Sequence, residues 1–367
     1  MKALLLVAEL EDYTISFVNG VAQHLPVVLG VPRRRYEHLA SYFAPAVDLR
    51  LLDWPRHRAL SNPLFLYNLT RLIRRERPSI IHLLSHSTIW LNFAVPFWRP
   101  IPLVTTIHDI DTHPGDVDAR MMLNWASDWI VQQSAHVVVH GDGLKRRALE
   151  RYSRSSDSVH VLSHPAIVHY ADLARREKMQ RRAEDGTFRV LMFGRIYAYK
   201  GLEHLIRAEA ALKDEVPNLR ITIAGRGDDA WALRPLMGVP DRYDIRTRYI
   251  DDPETAQLFL DTDLVVLPYT EASQSGVLNL AAAFGKPVIV TDVGELRASV
   301  EPNGLGMVVP PGNPERLARA IRILAESKTL RNDFGANALA WATGPNAPES
   351  VGADAASLYR SVVQACA

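Results

Sequence analysis

The sequence predicts an α/β protein of two doubly wound domains facing across a cleft, and three observations carry that expectation. The chain has 367 residues, too many for one ordinary hydrophobic core. Short β-branched apolar runs alternate with helix-length segments, the pattern of parallel strands covered by helices on both faces. The alternation comes in two series, separated by a charged stretch that lacks an apolar stripe.

The first series places strands at 3–7, 27–31, 79–84, 103–107, 136–140 and 159–162, with helices near 64–77, 120–133 and 144–152. The second places strands at 188–193, 220–224, 263–267, 287–291 and 307–309, with helices near 202–212, 277–284 and 314–326. Between them, 171–186 contains Arg175-Arg-Glu-Lys-Met-Gln-Arg-Arg182 and reads as a surface linker. The expected domains are therefore 1–170 and 187–345. Apolar residues at helical spacing in the tail predict a last helix, about 346–367, that packs back on the first domain.

A hydrophobic share of 47% and a charged share of 23% are ordinary for a soluble globular protein. A formal net charge of +1 gives no extended basic face for a nucleic acid. The single cysteine, Cys366, excludes an intrachain disulfide and a Cys-rich zinc site, and fits a reducing compartment. The opening Met1–Ala8 run stops at Glu9 with no small-residue cleavage pattern, so it reads as a buried first strand and not a secretory signal. No run approaches the roughly 20 apolar residues that a membrane-spanning helix needs. The expected location is cytoplasmic.

Two segments carry the chemistry. Gly194-Arg195-Ile-Tyr-Ala-Tyr-Lys200-Gly201 follows a strand and offers two fixed cations, one of them a guanidinium able to grip phosphate oxygens bidentately. Glu271-Ala-Ser-Gln-Ser275-Gly276-Val277 follows another strand and offers a carboxylate and a helix N-terminus, whose free N–H groups favour an anion. Two cations and a helix end suit a diphosphate, and the acid suits a sugar's hydroxyls. Taken singly, the first segment could be a solvated loop and the second a capping cluster for a core helix.

In order along the chain stand Gly-Arg-x(4)-Lys-Gly-x(3)-Leu-Ile-x-Ala, Ala-Gly-x-Gly, Asp-Leu-x-Val-x-Pro, and Glu271 through Gly-Val to Ala-x-Gly-Lys-Pro-Val-Ile-x-Thr-Asp-Val-Gly. This pattern, spanning about 188–309, resembles the retaining GT-B glycosyltransferases of family 4, built from two Rossmann-like domains. The N-terminal match is thinner and rests on Thr106-Ile-His108-Asp109, His136-Val-Val-Val-His-Gly141 and Val159-His-Val-Leu-Ser-His-Pro165. The resemblance implies transfer of a hexose from a nucleoside diphosphate sugar of the UDP or GDP type. It places Arg195 and Lys200 on the donor diphosphate, together with Ser275, Gly276 and Val277. Glu271 falls on the acid that contacts the donor sugar, and His108 on a histidine near the reacting sugar. The catalytic set it implies is thus His108, Glu271, Arg195 and Lys200. Arg226, Gly227, Asp228, Tyr249 and Ile250 fall where the family lines its nucleotide pocket.

Two departures stand out. The family's second acid falls on Asn279 or, with a one-residue gap, on Leu280. The glycine pair usual after the first strand is replaced by Glu9-Leu-Glu-Asp-Tyr-Thr-Ile-Ser16, an acidic loop that would repel a diphosphate. The stretch from His108 to Asp118 holds enough His and Asp to suggest a metal, but in the family pattern fixed cations neutralise the diphosphate. No metal and no cofactor is therefore expected. His113 is assigned to loop order or to the acceptor, and His164-Pro165 to a turn at the domain exit. Ala224-Gly-Arg-Gly lacks the third glycine of a dinucleotide fingerprint and is weak evidence for NAD.

Arginines and aromatics cluster at Arg33-Arg34-Arg35-Tyr36, Trp54-Pro-Arg-His-Arg58, Arg71 to Arg77 and Phe97-Trp98-Arg99. They read either as solvated faces or as peripheral contact with the anionic inner face of a membrane. The expected acceptor is a hydroxyl of a glycan or lipid-linked saccharide in surface polysaccharide synthesis. Two alternatives remain: a nucleotide-sugar epimerase of the same fold, and a catalytically silent partner that binds nucleotide-sugar or glycan.

Overall fold

The N-terminal sheet, in a computed structural model that describes residues 1–86, 90–110, 124–182 and 185–366, is built outward from β1, Ala3–Leu6. Its other strands are β2 (Val27–Pro32), β3 (Val47–Leu52), β4 (Ile80–Leu83), β5 (Leu103–Thr106), β6 (His136–Val139) and β7 (Val159–Val161). They run parallel in the order β3-β2-β1-β4-β5-β6-β7, with Ala3 registered beside Val27 and Ile80. Side chains alternate across β1, so Ala3 and Leu5 enter one apolar layer and Leu4 and Leu6 the other. The first layer is filled by α1 (Glu11–Ala22) and, from the chain's other end, α14 (Pro348–Ala365). The second is filled by α3 (Asn62–Glu76), α4 (Leu91–Ala94), α5 (Asn124–Gln133) and α6 (Asp142–Tyr152), while short α2 (Arg33–Tyr36) follows β2.

The C-terminal sheet repeats the plan with β8 (Phe188–Phe193), β9 (Leu219–Gly225), β10 (Tyr243–Thr247), β11 (Leu264–Leu267), β12 (Val288–Thr291) and β13 (Gly306–Val309). Its order is β10-β9-β8-β11-β12-β13, again parallel. Around it lie α7 (His169–Arg176), α8 (Leu202–Ala211), α9 (Asp252–Asp261), α10 (Gly276–Ala283), α11 (Leu296–Val300), α12 (Pro314–Glu326) and α13 (Lys328–Thr343). Ala166–Gly344 is one compact unit, and the tail from Pro345 belongs with the N-terminal sheet in the other. There Gly20 and Gly352 let α1 and α14 touch backbone to backbone: a Cβ on Gly352 would lie 2.1 Å from the Gly20 carbonyl carbon. Tyr359 of α14 is fully buried, with its hydroxyl 2.5 Å from His82 Nδ1 of β4.

The structure differs from expectation in several places. Residues 171–176 are not linker: they complete α7, whose His169, Leu173 and Ala174 are buried. The acidic stretch after β1 is not a loop: Leu10 takes a left-handed conformation, φ 67°, and α1 starts at Glu11. Glu11 and Asp12 then sit in a helix's first turn, where negative charge is stabilised by the N–H groups. The helices over 252–261 and 328–343 were not foreseen. Nor were β3 and β10, the corresponding edge strand of each sheet. Of the helix expected at 120–133, the part before Asn124 lies outside the described residues, as does His113.

Candidate active site

Four adjacent strands of the C-terminal sheet, β10, β9, β8 and β11, deliver the donor-side residues from their carboxyl ends. Strand order reverses between β8 and β11, and at such a switch point parallel sheets open a crevice for ligands. After β8 the chain runs through Gly194 and Arg195 into a 3-10 turn, Ala198–Lys200, and enters α8 at Gly201. Gly201 has φ 70°, and a Cβ there would lie 1.9 Å from the Pro268 carbonyl oxygen. The β9 loop lies equally close: a Cβ on Gly225 would meet the Gly194 oxygen at 1.7 Å. Ile196 N–H donates to the Arg226 oxygen at 2.8 Å, and Asp228 N–H to the Ile196 oxygen at 2.7 Å. These bonds fix the Arg195 and Arg226 loops to each other.

The two cations are posed by aromatic rings. Lys200 Nζ lies 3.8 Å from the centre of the Tyr269 ring and 4.9 Å from that of Tyr199, and the Arg195 guanidinium lies 5.9 Å from that of Tyr197. Thr270 N–H donates to the Tyr199 oxygen at 2.8 Å, tying the Lys200 loop to the segment that carries Glu271. Arg226 stands 5.1 Å from the centre of the exposed Tyr249 ring, whereas Ile250 is buried in the core.

Glu271 is exposed, followed by buried Ala272 and Ser273, whose oxygen accepts the Glu295 N–H at 3.0 Å. Ser275 precedes α10 with extended backbone but does not cap it: its Oγ lies 3.3 Å from the Tyr269 hydroxyl. The capping reading therefore fails for Ser275, and Gly276 and Val277 begin the helix with no side-chain cap from it. Asn279 is buried one turn in, its Nδ2 donating to the Ser275 oxygen at 3.2 Å, while Leu280 lies in the hydrophobic core. Of the two positions left open for the second acid, Leu280 thus belongs to packing.

The N-terminal unit holds a different constellation. Strands β4 to β7 are each followed, within three residues, by a histidine: His86, His108, His140 and His164. His108, His140 and His164 stand in a row, with ring centres 4.8 Å and 5.4 Å apart. Tyr13 of α1 packs edge-on against all three, 4.6 Å from His108. His108 Nε2 donates to the Leu84 oxygen at 2.8 Å, His140 Nδ1 to the Leu162 oxygen at 2.8 Å, and His164 Nδ1 to the Pro165 oxygen at 2.9 Å. A carbonyl can only accept, so each bond fixes the neutral tautomer. The opposite nitrogen of His140, Nε2, is buried with no hydrogen-bond partner among the described residues. Burial holds His108 and His164 down at about 4 and His82 at about 3, while His140 is pushed well below the usual range by burial and by His108. Sequence reading singled out only His108 here and assigned His164 to a turn. The signal it passed over was the recurrence of histidine after four neighbouring strands. Among the described residues no group of three or more His, Cys, Asp or Glu is arranged to hold a metal ion.

The profile of the "Glycosyl transferases group 1" family matches residues 187–327, and that of "Glycosyltransferase Family 4" matches residues 12–166. The chain belongs to these glycosyltransferases. Its relatives include the alpha-D-kanosaminyltransferase of Streptomyces kanamyceticus, 27% identical over 275 residues that cover 71% of each chain. The D-inositol 3-phosphate glycosyltransferase of Pseudarthrobacter chlorophenolicus is 27% identical over 282 residues, 72% of this chain and 67% of the relative. Among solved structures, the sucrose-phosphate synthase of Thermosynechococcus elongatus superposes with a TM-score of 0.74 at 17% identity, covering 100% of both chains. Alr3699/HepE of Anabaena, solved with UDP-glucose, gives 0.73 at 18% identity over 98% of this chain and 100% of that one. The fold of this family 4 glycosyltransferase is GT-B.

Proposed function

We propose that this glycosyltransferase moves a hexose from a nucleoside diphosphate sugar to a saccharide hydroxyl with retention of anomeric configuration. One observation carries the reading: Arg195, Lys200, Glu271 and the start of α10 emerge from the neighbouring strands β8 and β11 at the switch point of one sheet. As the leaving diphosphate separates it gains negative charge, and Arg195, Lys200 and the N–H groups of Gly276 and Val277 stabilise that charge where it develops. Glu271 orients the sugar through its hydroxyls, and the Arg226–Asp228 loop with Tyr249 lines the nucleoside side, with Asn279 in place of an acid. Neutral His108 acts beside the reacting sugar. With no protein nucleophile assigned, the incoming hydroxyl attacks from the face the diphosphate leaves, and the departing phosphate takes its proton. The binding of UDP-glucose by a protein of like fold supports a UDP-type donor, with GDP as the other candidate. Glycan or lipid-linked acceptors of surface polysaccharide synthesis, handled in the cytoplasm, suit this chemistry.

The test is a thermal-shift screen of UDP, GDP, ADP and their sugars with and without EDTA, followed by transfer from the labelled donor selected. A ligand at about 100 times its dissociation constant adds roughly 2.7 kcal/mol, a visible shift. One nucleotide giving an EDTA-insensitive shift, and label moving to a saccharide, is the expected result. Asn279 favours a second reading, in which nucleotide binds without turnover; a clear shift with no transfer to any acceptor selects it.

A further inference from the structure

Between Asp53 and Asp109 the sequence has seven arginines, no lysine and a single acid, Glu76. The structure turns most of that bias to one side. Helix α3 buries Phe65, Leu69 and Ile73, and its opposite stripe carries Leu64, Tyr67, Arg71, Arg74 and Arg75, all exposed. Leu60, just before the helix, is 99% exposed, and Leu64 62%. Beside α3 the 3-10 turn Val95–Trp98 is anchored by buried Trp98, whose Nε1 donates to Thr70 Oγ1 at 3.2 Å, and it leaves Phe97 63% exposed. Exposed Phe93 on α4 meets Trp129 of α5 at 5.2 Å between ring centres, and Trp129 stacks on exposed Trp125 at 6.5 Å. Six of the eleven exposed large hydrophobic side chains among the described residues thus fall on these three adjoining helices and their flanks. A helix face bathed only in water gains nothing from Leu, Leu and Tyr in a row.

The charges on this face are open. Arg56, Arg58, Arg71, Arg74, Arg75 and Arg99 make no ion pair with any described residue. Glu76, the one acid, is turned inward to Lys2 and Arg50 at 3.0 Å and 3.3 Å, and Asp128 of α5 is held by Arg151 at 3.1 Å. The arginine cluster at 33–35 differs, since Arg33 is paired to Glu37 and Asp53 and Arg35 to Glu11.

We propose that the face formed by α3, α4 and the Val95–Trp98 turn docks this chain on an anionic lipid bilayer, with Leu60, Leu64, Tyr67, Phe93 and Phe97 entering the headgroup boundary and the arginines lying on lipid phosphates. Apolar side chains interleaved with cations, with acids withdrawn, match a surface that is negative outside and hydrocarbon beneath. Nucleic acid matches it less well, because Leu60 and Leu64 offer no ring for a base to stack on. Among the described residues no helix is long and apolar enough to cross a membrane, so the contact is peripheral.

The experiment is co-sedimentation of the full chain with sucrose-loaded vesicles of phosphatidylglycerol and phosphatidylcholine, 1:1, against phosphatidylcholine alone. Binding to the anionic vesicles only, weakened by raising NaCl, is expected. Each arginine near the surface is worth about a factor of five, so the triple variant Arg71→Gln/Arg74→Gln/Arg75→Gln lowers partitioning about a hundredfold. Leu64→Gln/Tyr67→Gln/Phe97→Gln lowers it at least tenfold, and Arg33→Gln/Arg35→Gln leaves it unchanged. All of these positions are exposed, and far-UV circular dichroism checks that each variant is folded. No binding to anionic vesicles, or binding that survives both triple variants, overturns the proposal. So does a dimer in sedimentation velocity that the apolar triple abolishes without vesicle binding, which would assign the face to a second copy. No donor or acceptor enters the assay, so its outcome is independent of the transfer reading.

Discussion

The two sheets share one winding order, central strand outward, and differ in what their strands present at the carboxyl ends. The C-terminal sheet ends in glycine, arginine, lysine and a helix start; the N-terminal sheet ends in four histidines, three of them packed around Tyr13. One set is built for charge and must let a backbone approach closely. The other holds neutral rings away from water. Eleven of the thirteen histidines precede Ala166, so proton-linked behaviour should separate from anion-linked behaviour along the chain.

The largest expected effect breaks the charged side alone. Arg195→Ala combined with Lys200→Ala should cost about 10⁴-fold in kcat/KM, since one preorganised donor to a developing anion is worth about 10²–10³. The melting temperature should hold, because both side chains lie outside the hydrophobic core clusters. Initial rates with labelled donor, beside a melting curve, decide it; near-normal turnover in that variant would remove the proposed phosphate site.

Acid should act on the other unit. A histidine held neutral in the fold takes up its proton in the unfolded chain below about 6.5, so the unfolded state binds more protons and stability falls with falling pH. The loss begins near 6.5 and runs down towards the folded values, about 4 for His108 and His164. At pH 5.5, relative to pH 7.5, His82, His108 and His164 together cost on the order of a few kcal/mol, and His140 acts in the same direction. Limited proteolysis at the two pH values should place the new cuts in the N-terminal unit; cuts confined to 166–344 would contradict this. A smaller effect, about 3 kcal/mol, is expected for Gly201→Ala, which puts a Cβ 1.9 Å from the Pro268 oxygen at φ 70°. Urea unfolding measures it, and nucleotide affinity should fall with it because the Lys200 turn must move.

The same contrast explains what the sequence made legible. Buried central strands are continuous apolar runs, and these were placed within a residue or two. The edge strands β3 and β10 were missed for a shared reason: each alternates apolar residues with an Asp-x-Arg pair, Asp48 with Arg50 and Asp244 with Arg246, bonded along the strand's outer side. Edges carry charge because an unpaired flank must resist further pairing, and that charge hides the strand. The cluster proposed to hold an anion was legible because its glycines and cations lie within eight residues of one strand end. The histidine row was not, because its members follow three different strands and only the parallel pairing of β5 to β7 brings them together. The first-strand loop misled for a local reason, since nothing in Glu11-Asp12 shows from sequence whether acids repel a ligand or charge a helix start.

The smallest effect tests where the two kinds of site meet in character, at a buried polar residue inside the charged unit. Asn279 spends its amide N–H on the Ser275 oxygen, which steadies the extended residue leading into α10. A carboxylate here could not donate that bond, so the asparagine serves the start of α10 in a way an acid would not. Asn279→Leu should lower affinity for the selected nucleotide about tenfold, as the loss of one buried hydrogen bond of about 1–1.5 kcal/mol implies, with Glu271 and the cations still in place. Asn279→Asp should be at least as harmful, because it puts an acceptor against the Ser275 carbonyl. Calorimetric titration of both variants separates the cases: tighter binding by the aspartate would mean that the position serves the nucleoside as an acid would, and that its hold on Ser275 matters little.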